Sequence, residues 1–201
     1  MAAARSTRRE LLASGAAGVA LVSPAGALAA GTVLPRPDPP DERLRRLLSV
    51  ELLLDYCYEH VLAGTLLTPG ARLVAQLQAG HEQAHIDALK LELTRLSPSG
   101  AIPVAPTDVA AANRRLARRN ASGRLGQLQG ERDALYLLLE VERVVTGAYF
   151  VALLKLEDPR LIALAISIMS AEAQHQALIG DLLNPGDAQQ SVPYGLIQGT
   201  Q

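Results

Sequence analysis

One pattern that occurs twice limits the folds available to this chain more than any other feature of its sequence. A proline is followed after 13 residues by a glutamate and after 16 residues by a histidine, first from Pro69 and again from Pro159. A Thr or an Asp precedes each proline, which is typical of a helix start. Side chains three residues apart on a helix project to the same side. The Glu-x-x-His motifs at 82–85 and 172–175 therefore predict two equivalent helices, each offering a carboxylate and an imidazole to one point.

Most of the chain has the 3.6-residue apolar periodicity of long helices. The predicted helices cover about 42–67, 69–96, 129–156 and 159–183, and Asp41 is the predicted N-cap of the first. The first two helices and the last two are separated by short breaks, whereas residues 97–128 form a long connection with a short helical candidate over 107–119. The sequence has no alternating strand pattern of useful length. We therefore predict an all-α fold, a four-helix bundle of two antiparallel hairpins joined by a long crossover.

Two further glutamates lie where an amphipathic helix should bury leucine. They are Glu51 on the first predicted helix and Glu142 on the third, each followed seven residues later by a tyrosine, Tyr58 or Tyr149. An unpaired carboxylate would be costly there. Glu140 is the rival on the third helix, but its neighbours at helical spacing are mixed, so we favour Glu142. The two tyrosines are either ordinary core aromatics or groups that contact a functional site.

Six side chains are predicted to meet in one layer of the bundle core, because the helical rise places them at similar depths. They are Glu51, Glu82, His85, Glu142, Glu172 and His175. Four carboxylates balance the charge of two divalent cations. This donor set favours iron or manganese, since a structural zinc site more often uses Cys and His. The single cysteine excludes a Cys-based zinc cluster and a Cys-ligated iron–sulfur centre.

This arrangement resembles the ferritin-like superfamily of di-iron carboxylate proteins, over about residues 41–184. The resemblance implies that the six residues hold two iron ions, one iron and one manganese, or two manganese ions, with Glu82 and Glu172 as bridging carboxylates. It implies redox chemistry with O2 or peroxide, either oxidation of ferrous iron or peroxide detoxification. A homodimer is one assembly that it allows. The pattern assigns no catalytic residue and does not decide whether the chain is an enzyme. The alternative is a non-enzymatic helical binding or stress-protective module with a structural or vestigial metal site.

The first 29 residues have the three parts of an export signal: a basic start, an apolar stretch and a small-residue end. The pair Arg8-Arg9 resembles a twin-arginine (Tat) signal, and the alternative is an ordinary Sec signal. We predict cleavage after Ala29, with Ala27 as the alternative, and export through the Tat machinery to the periplasm or the cell exterior. The apolar run of this signal is too short to span a bilayer as a stable helix. Cleavage would also remove it, so no stable membrane span is expected afterwards. Residues 30–40 are a predicted Pro-rich linker, and 185–201 a predicted irregular tail.

Charge and the remaining polar residues are less informative. The chain has 19 basic and 20 acidic residues, which gives no general electrostatic case for binding nucleic acid. The four arginines within 114–119 either form a solvated helix face or contact an anionic partner. Cys57 is predicted to be a small buried hydrophobe. His60 and His81 lack the paired spacing and are predicted to be surface or hydrogen-bonded residues, and Asp55 either orients a ligand histidine or lies at the surface.

Overall fold

The computed structural model describes residues 38–122 and 124–192. Its helices are α1 (Pro40–Ala63), α2 (Pro69–Leu96), α3 (Val109–Ala117), α4 (Glu131–Leu153), α5 (Pro159–Leu183) and α6 (Ala188–Ser191), with one 3-10 turn at Leu125–Gln127. Over these described residues there is no strand, so the all-α prediction is confirmed. The predicted export signal, most of the linker and the end of the tail lie outside the described residues.

The second helix of each hairpin begins at the predicted proline. Thr68 accepts a hydrogen bond from the Ala71 N–H at 3.5 Å, and Asp158 accepts one from the Arg160 N–H at 2.8 Å. These side chains satisfy backbone donors that the first turn of a helix leaves unpaired. Proline fits there because its missing N–H would have no partner within the helix. The helix ends, Leu96 for α2 and Leu183 for α5, also agree with prediction.

The first helix differs from the prediction at both of its ends. Its N-cap is Pro39, and no side chain caps it; Asp41 lies inside the first turn and pairs with Arg45 at 2.7 Å. The predicted Asp41 cap is therefore wrong. The helix ends at Ala63 rather than at residue 67, because Gly64 adopts extended backbone.

The first helix of the second hairpin, α4, is also shorter than predicted. It covers Glu131–Leu153 rather than 129–156, because Gly130 is fully extended before its first turn. The Gln129 N–H instead donates a hydrogen bond to the Asp133 carboxylate at 3.1 Å. In the crossover, the predicted helical candidate over 107–119 is the nine-residue α3, whose N-cap is Asp108.

The four long helices pack as two hairpins around one leucine-rich core. α1 packs along α2, α4 packs along α5, and α1 and α4 join the hairpins, whereas α2 and α5 contact each other much less. Tyr58 and Tyr149 are fully buried, and Cys57 is a buried free thiol as predicted. In the two described ranges, no helix is long and apolar enough to cross a bilayer.

The short α6 folds back against the end of the second hairpin. A Cβ placed on Gly180 would lie 2.7 Å from the backbone oxygen of Ser191. Since real Cβ atoms do not approach backbone oxygen so closely, glycine at 180 is what lets α6 pack on α5.

Candidate metal centre

The six predicted residues come from all four long helices. Glu51 lies on α1, Glu82 and His85 on α2, Glu142 on α4, and Glu172 and His175 on α5. The four glutamates have 0% exposed surface, and the two histidines have 9% and 2%. Four buried carboxylates in an apolar core would be very costly without a compensating charge.

These side chains form two overlapping groups, and in each the potential ligand atoms lie within 4.8 Å of one another. The first group is Glu51, Glu82, His85 and Glu172, and the second is Glu82, Glu142, Glu172 and His175. Glu82 and Glu172 belong to both groups, so their carboxylates lie between the two candidate metal positions. The structure brings all six predicted residues together; Glu140 lies outside both groups.

Both histidines direct the Nδ1 atom at the carboxylates. His85 Nδ1 lies 3.0 Å from an oxygen of Glu172, 3.4 Å from Glu82 and 3.8 Å from Glu51. His175 Nδ1 lies 3.1 Å from Glu82, 3.2 Å from Glu172 and 3.4 Å from Glu142. Each imidazole therefore shares one small space with three carboxylates.

Several of these buried atoms have no hydrogen-bond partner within the described part of the chain. They are Oε2 of Glu51, both oxygens of Glu82, Nδ1 of His85, Oε2 of Glu142 and Oε1 of Glu172. The 3.0 Å contact of His85 with Glu172 lacks hydrogen-bond geometry. Unsatisfied lone pairs that converge in a dry core are expensive. A cation at the point of convergence would satisfy them together, so the residues fit a metal.

The pKa values show how the cluster compensates its charge when protons take the place of metal. Burial raises the pKa of Glu51 and Glu142 well above the usual carboxyl value. Burial opposes the charged form of the histidines, but the nearby carboxylates outweigh it and raise the pKa of His85 to about 11 and of His175 to about 12. For Glu172, the two imidazoles outweigh burial and lower its pKa to about 2. Metal binding would have to displace these protons.

The two buried tyrosines contact the cluster reciprocally across the α1–α4 interface. The Tyr58 hydroxyl on α1 donates to Glu142 at 2.5 Å, and the Tyr149 hydroxyl on α4 donates to Glu51 at 2.5 Å. Burial, with the charge of the bonded carboxylate, raises the pKa of both hydroxyls well above the usual value, which keeps them as donors. Of the two alternatives for these tyrosines, direct contact with the site is the observed one.

Two polar residues beside His175 were missed by the spacing of the sequence motifs. The Gln78 amide donates to the backbone oxygen of His175 at 3.0 Å, and its side-chain oxygen lies 3.0 Å from the Tyr58 hydroxyl, whose single proton is donated to Glu142. His81 Nδ1 lies 2.9 Å from His175 Nε2, and the two rings stack with centroids 5.2 Å apart. His81 is itself exposed. The prediction of His81 as a surface or hydrogen-bonded residue was therefore right on both counts, but it did not foresee the partner.

The internal repeat is broken at these positions. Counted from the two Glu-x-x-His motifs, Gln78 corresponds to Ile168 and His81 to Ala171. Gln176, which donates to Thr146 at 2.6 Å, corresponds in the same way to Ile86. The Glu142–His175 side of the cluster thus has polar support that the Glu51–His85 side lacks, so the two candidate metal positions are not equivalent.

Neither alternative for Asp55 matches its position. It is only 8% exposed, which excludes a surface carboxylate, and no hydrogen bond joins it to a histidine among the described residues. Burial raises its pKa, although a contact with Gln83 opposes the shift. Asp55 and the half-buried His60 lie outside both groups of candidate ligands.

Comparison with known proteins agrees with this architecture. A family model described as the ferritin-like domain matches residues 42–185. Searches of curated proteins and of solved structures gave no significant match. The matched segment contains all six residues of the cluster and the four long helices, apart from the first two residues of α1. It covers well over half of the 201 residues, and the chain therefore belongs to the ferritin-like family.

Proposed function

We propose that this chain binds two redox-active metal ions, iron or manganese, in its bundle core and uses them to react with O2 or peroxide. One observation carries the proposal: the two groups of three glutamates and one histidine share Glu82 and Glu172. A shared pair of carboxylates suits two neighbouring cations better than one. Two divalent cations would also neutralise the four buried carboxylates.

The donor types support iron or manganese. Each group offers three carboxylate side chains and one imidazole, which suit hard to borderline cations, whereas soft cations favour thiolates. The single thiol, Cys57, belongs to neither group. When bound, such metals supply electrons and polarise an oxygen species.

The chain itself positions the metal ions, balances their charge and keeps the site away from water. Glu82 and Glu172 would hold both ions, and each tyrosine hydroxyl fixes the orientation of one outer glutamate. The four glutamates have no exposed surface, and this dry environment strengthens every charge interaction in the site. Within this proposal the reaction is ferrous iron oxidation or peroxide detoxification, carried out after export by the Tat route to the periplasm or the cell exterior.

The test is the metal content of the full chain, purified from its exporting host without added metal. We expect about two iron or manganese ions per chain, in line with a dinuclear site, and oxygen consumption or peroxide loss on reaction. Glu82→Ala should abolish both, because it removes a carboxylate shared by the two positions. Glu140→Ala, a half-buried carboxylate outside the cluster, is the matched control and should change neither.

Two outcomes would contradict the proposal in different ways. No bound metal, even after anaerobic reconstitution with ferrous and manganous ions, would mean that the cluster is vestigial. Two tightly bound ions with no oxygen or peroxide chemistry would favour the non-enzymatic alternative, in which the metal is structural.

A further inference from the structure

A cavity separate from the metal cluster opens between α1, α4 and the end of α3. Its volume is about 410 Å³, within the range of small-molecule sites. Its apolar lining comes from α1 and α4 and includes Leu47, Val50, Ala148 and Val151. None of these four residues belongs to the six-residue cluster. The cavity can therefore take an apolar group without using a metal.

The charged residues that line this cavity are strongly unbalanced. Five are basic, Arg43, Arg46, Arg118, Arg119 and Lys155, and one is acidic, Asp38. Arg46 pairs with Asp38 at 2.9 Å. Among the described residues, none of the other four basic side chains has a carboxylate partner, so the cavity carries uncompensated positive charge.

Arg43 provides an independent observation, because its guanidinium is buried and incompletely bonded. The residue is 8% exposed, and one terminal N–H group donates to the backbone oxygen of Lys155. Its Nε atom is buried and has no partner in the described part of the chain. A buried donor without a partner is costly, and the planar guanidinium is well matched to an oxyanion.

The arginines at the end of α3 also favour a negatively charged ligand. Burial, together with the neighbouring charges of Arg118 and Arg115, lowers the pKa of Arg119. Basic groups held this close repel one another in the absence of an anion. Of the four arginines within 114–119, Arg118 and Arg119 line the cavity, whereas Arg114 does not.

We propose that this cavity is a binding site for a small amphipathic anion, an alkyl chain that carries a carboxylate. The carboxylate would pair with Arg43 and the arginines at the end of α3, and the alkyl chain would lie along the apolar wall formed by α1 and α4. The site does not depend on the proposed metal chemistry, because its residues are distinct from the cluster.

The test is isothermal titration of the full chain with octanoate. We expect saturable binding of one octanoate per chain. Acetate, which has the headgroup alone, and octyltrimethylammonium, which has the same tail with the opposite charge, should both bind much more weakly. Equal binding of the cationic amphiphile would overturn the proposal, because only the apolar wall would then be recognised. Absence of octanoate binding would overturn it as well.

Two variants of exposed arginines on one short segment provide a matched pair. Arg118→Gln removes one charge from the cavity and should weaken octanoate binding about tenfold, as expected for loss of a charge-assisted contact. Arg114→Gln removes the same charge outside the cavity and should leave the affinity unchanged. Equal effects of the two variants would overturn the site, because binding would then follow overall charge or occur elsewhere, including at a bound metal.

A third variant tests the apolar wall in case loss of an arginine disturbs the fold. Ala148 is half-buried on this wall. Ala148→Phe should occupy part of the cavity and reduce octanoate affinity while helical content stays unchanged. Unchanged affinity with an unchanged circular dichroism spectrum would place the ligand elsewhere and overturn the assignment. Binding to vesicles of anionic phospholipid without binding of free octanoate would also overturn it, since the surface would then recognise a membrane.

Discussion

Single hydroxyl groups decide how the outer carboxylates of the cluster are held. Tyr149 and Tyr58 each reach across the α1–α4 interface to a glutamate of the other half, Glu51 and Glu142 respectively. Each hydroxyl satisfies one oxygen of a carboxylate that has no contact with water. The hydrogen bonds therefore serve both the stability of the core and the geometry of the candidate metal centre.

Removing one of these hydroxyls tests this dual role. Tyr149→Phe should lower the free energy of unfolding by about 1 to 3 kcal/mol, because Glu51 loses a donor inside the core. Urea denaturation measures the change. Tyr136→Phe is the control, since Tyr136 is exposed and its hydroxyl accepts from Arg132. Equal stabilities for the two variants would show that the Tyr149 contact contributes nothing.

His81 makes a second prediction at the scale of one side chain. His175 presents Nδ1 to the carboxylates and Nε2 to His81. An outer partner of this kind fixes the orientation of a ligand histidine, and its loss typically costs about 10- to 100-fold in metal affinity. His81→Ala should therefore weaken one of the two metal-binding steps and leave the other nearly unchanged.

A titration with Co²⁺, followed by its visible absorption, would separate the two steps. The control is His60→Ala, because His60 lies outside both groups. If His81→Ala weakened both steps equally, or neither, the inequivalence of the two positions would be wrong.

The sequence predicted the six cluster residues and offered both buried tyrosines as candidate contacts. It did not predict that Gln78 and His81 support His175. Glu82 and His85 share a helix face, so their spacing reveals the pair without any tertiary information. His81 is one position before Glu82 and points in another direction around α2. Its contact with His175 depends on how α2 and α5 face each other, which a one-helix pattern does not encode. A polar residue that breaks the repeat, as Gln78 does against Ile168, was the available signal.

At the scale of elements, the helix ends were also only partly predictable from the sequence. α2 and α5 begin where predicted because a capping side chain and a proline act locally. α1 has a proline in its first turn but no side-chain cap, and it ends at Ala63, before Gly64 and short of the predicted residue 67. Propensity and spacing predict an element well where its own residues determine its ends, and poorly where the loops around it do.

The packing of α6 on α5 gives a prediction at this scale. Gly180→Ala places a methyl group against the backbone of Ser191 and should lower the free energy of unfolding by about 1 to 3 kcal/mol, as overpacking typically does. Gly80→Ala is the matched control, because apart from its chain neighbours and its own helix backbone no atom lies within 4 Å of its added Cβ. It should raise stability by about 0.5 to 1 kcal/mol through helix propensity. Thermal unfolding of both variants measures this, and a stabilised Gly180→Ala would show that α6 does not pack there.

For the whole molecule, protons and metal compete for the same core. The raised pKa values of Glu51 and Glu142 favour the folded metal-free chain at low pH, and this contribution is lost as pH rises above the unfolded value of 4.5. The contributions of His85 and His175 are complete below their unfolded value of 6.5 and are lost as pH rises towards about 11 and 12. Above about pH 4.5, where the opposite contribution of Glu172 is already complete, the metal-free bundle should therefore weaken with rising pH.

Metal binding should have the opposite dependence, because it requires the same groups to release their protons. The increase in Tm caused by Mn²⁺ should consequently be larger at about pH 8 than at about pH 6. Calorimetry of the metal-free and loaded chain at both pH values measures it. Glu82→Ala should show little metal-dependent increase at either. A stabilisation that shrinks as pH rises would contradict this competition.

The buried thiol of Cys57 is a natural probe for opening of the bundle core. It is the single cysteine, it has no exposed surface, and burial raises its pKa to about 12. Since thiols react as thiolates, an alkylating reagent can modify Cys57 only after the core around it has opened. The rate of modification therefore reports how often the core opens, without any engineered label. By the same reasoning, an intact bundle offers no thiol through which two chains could become covalently joined.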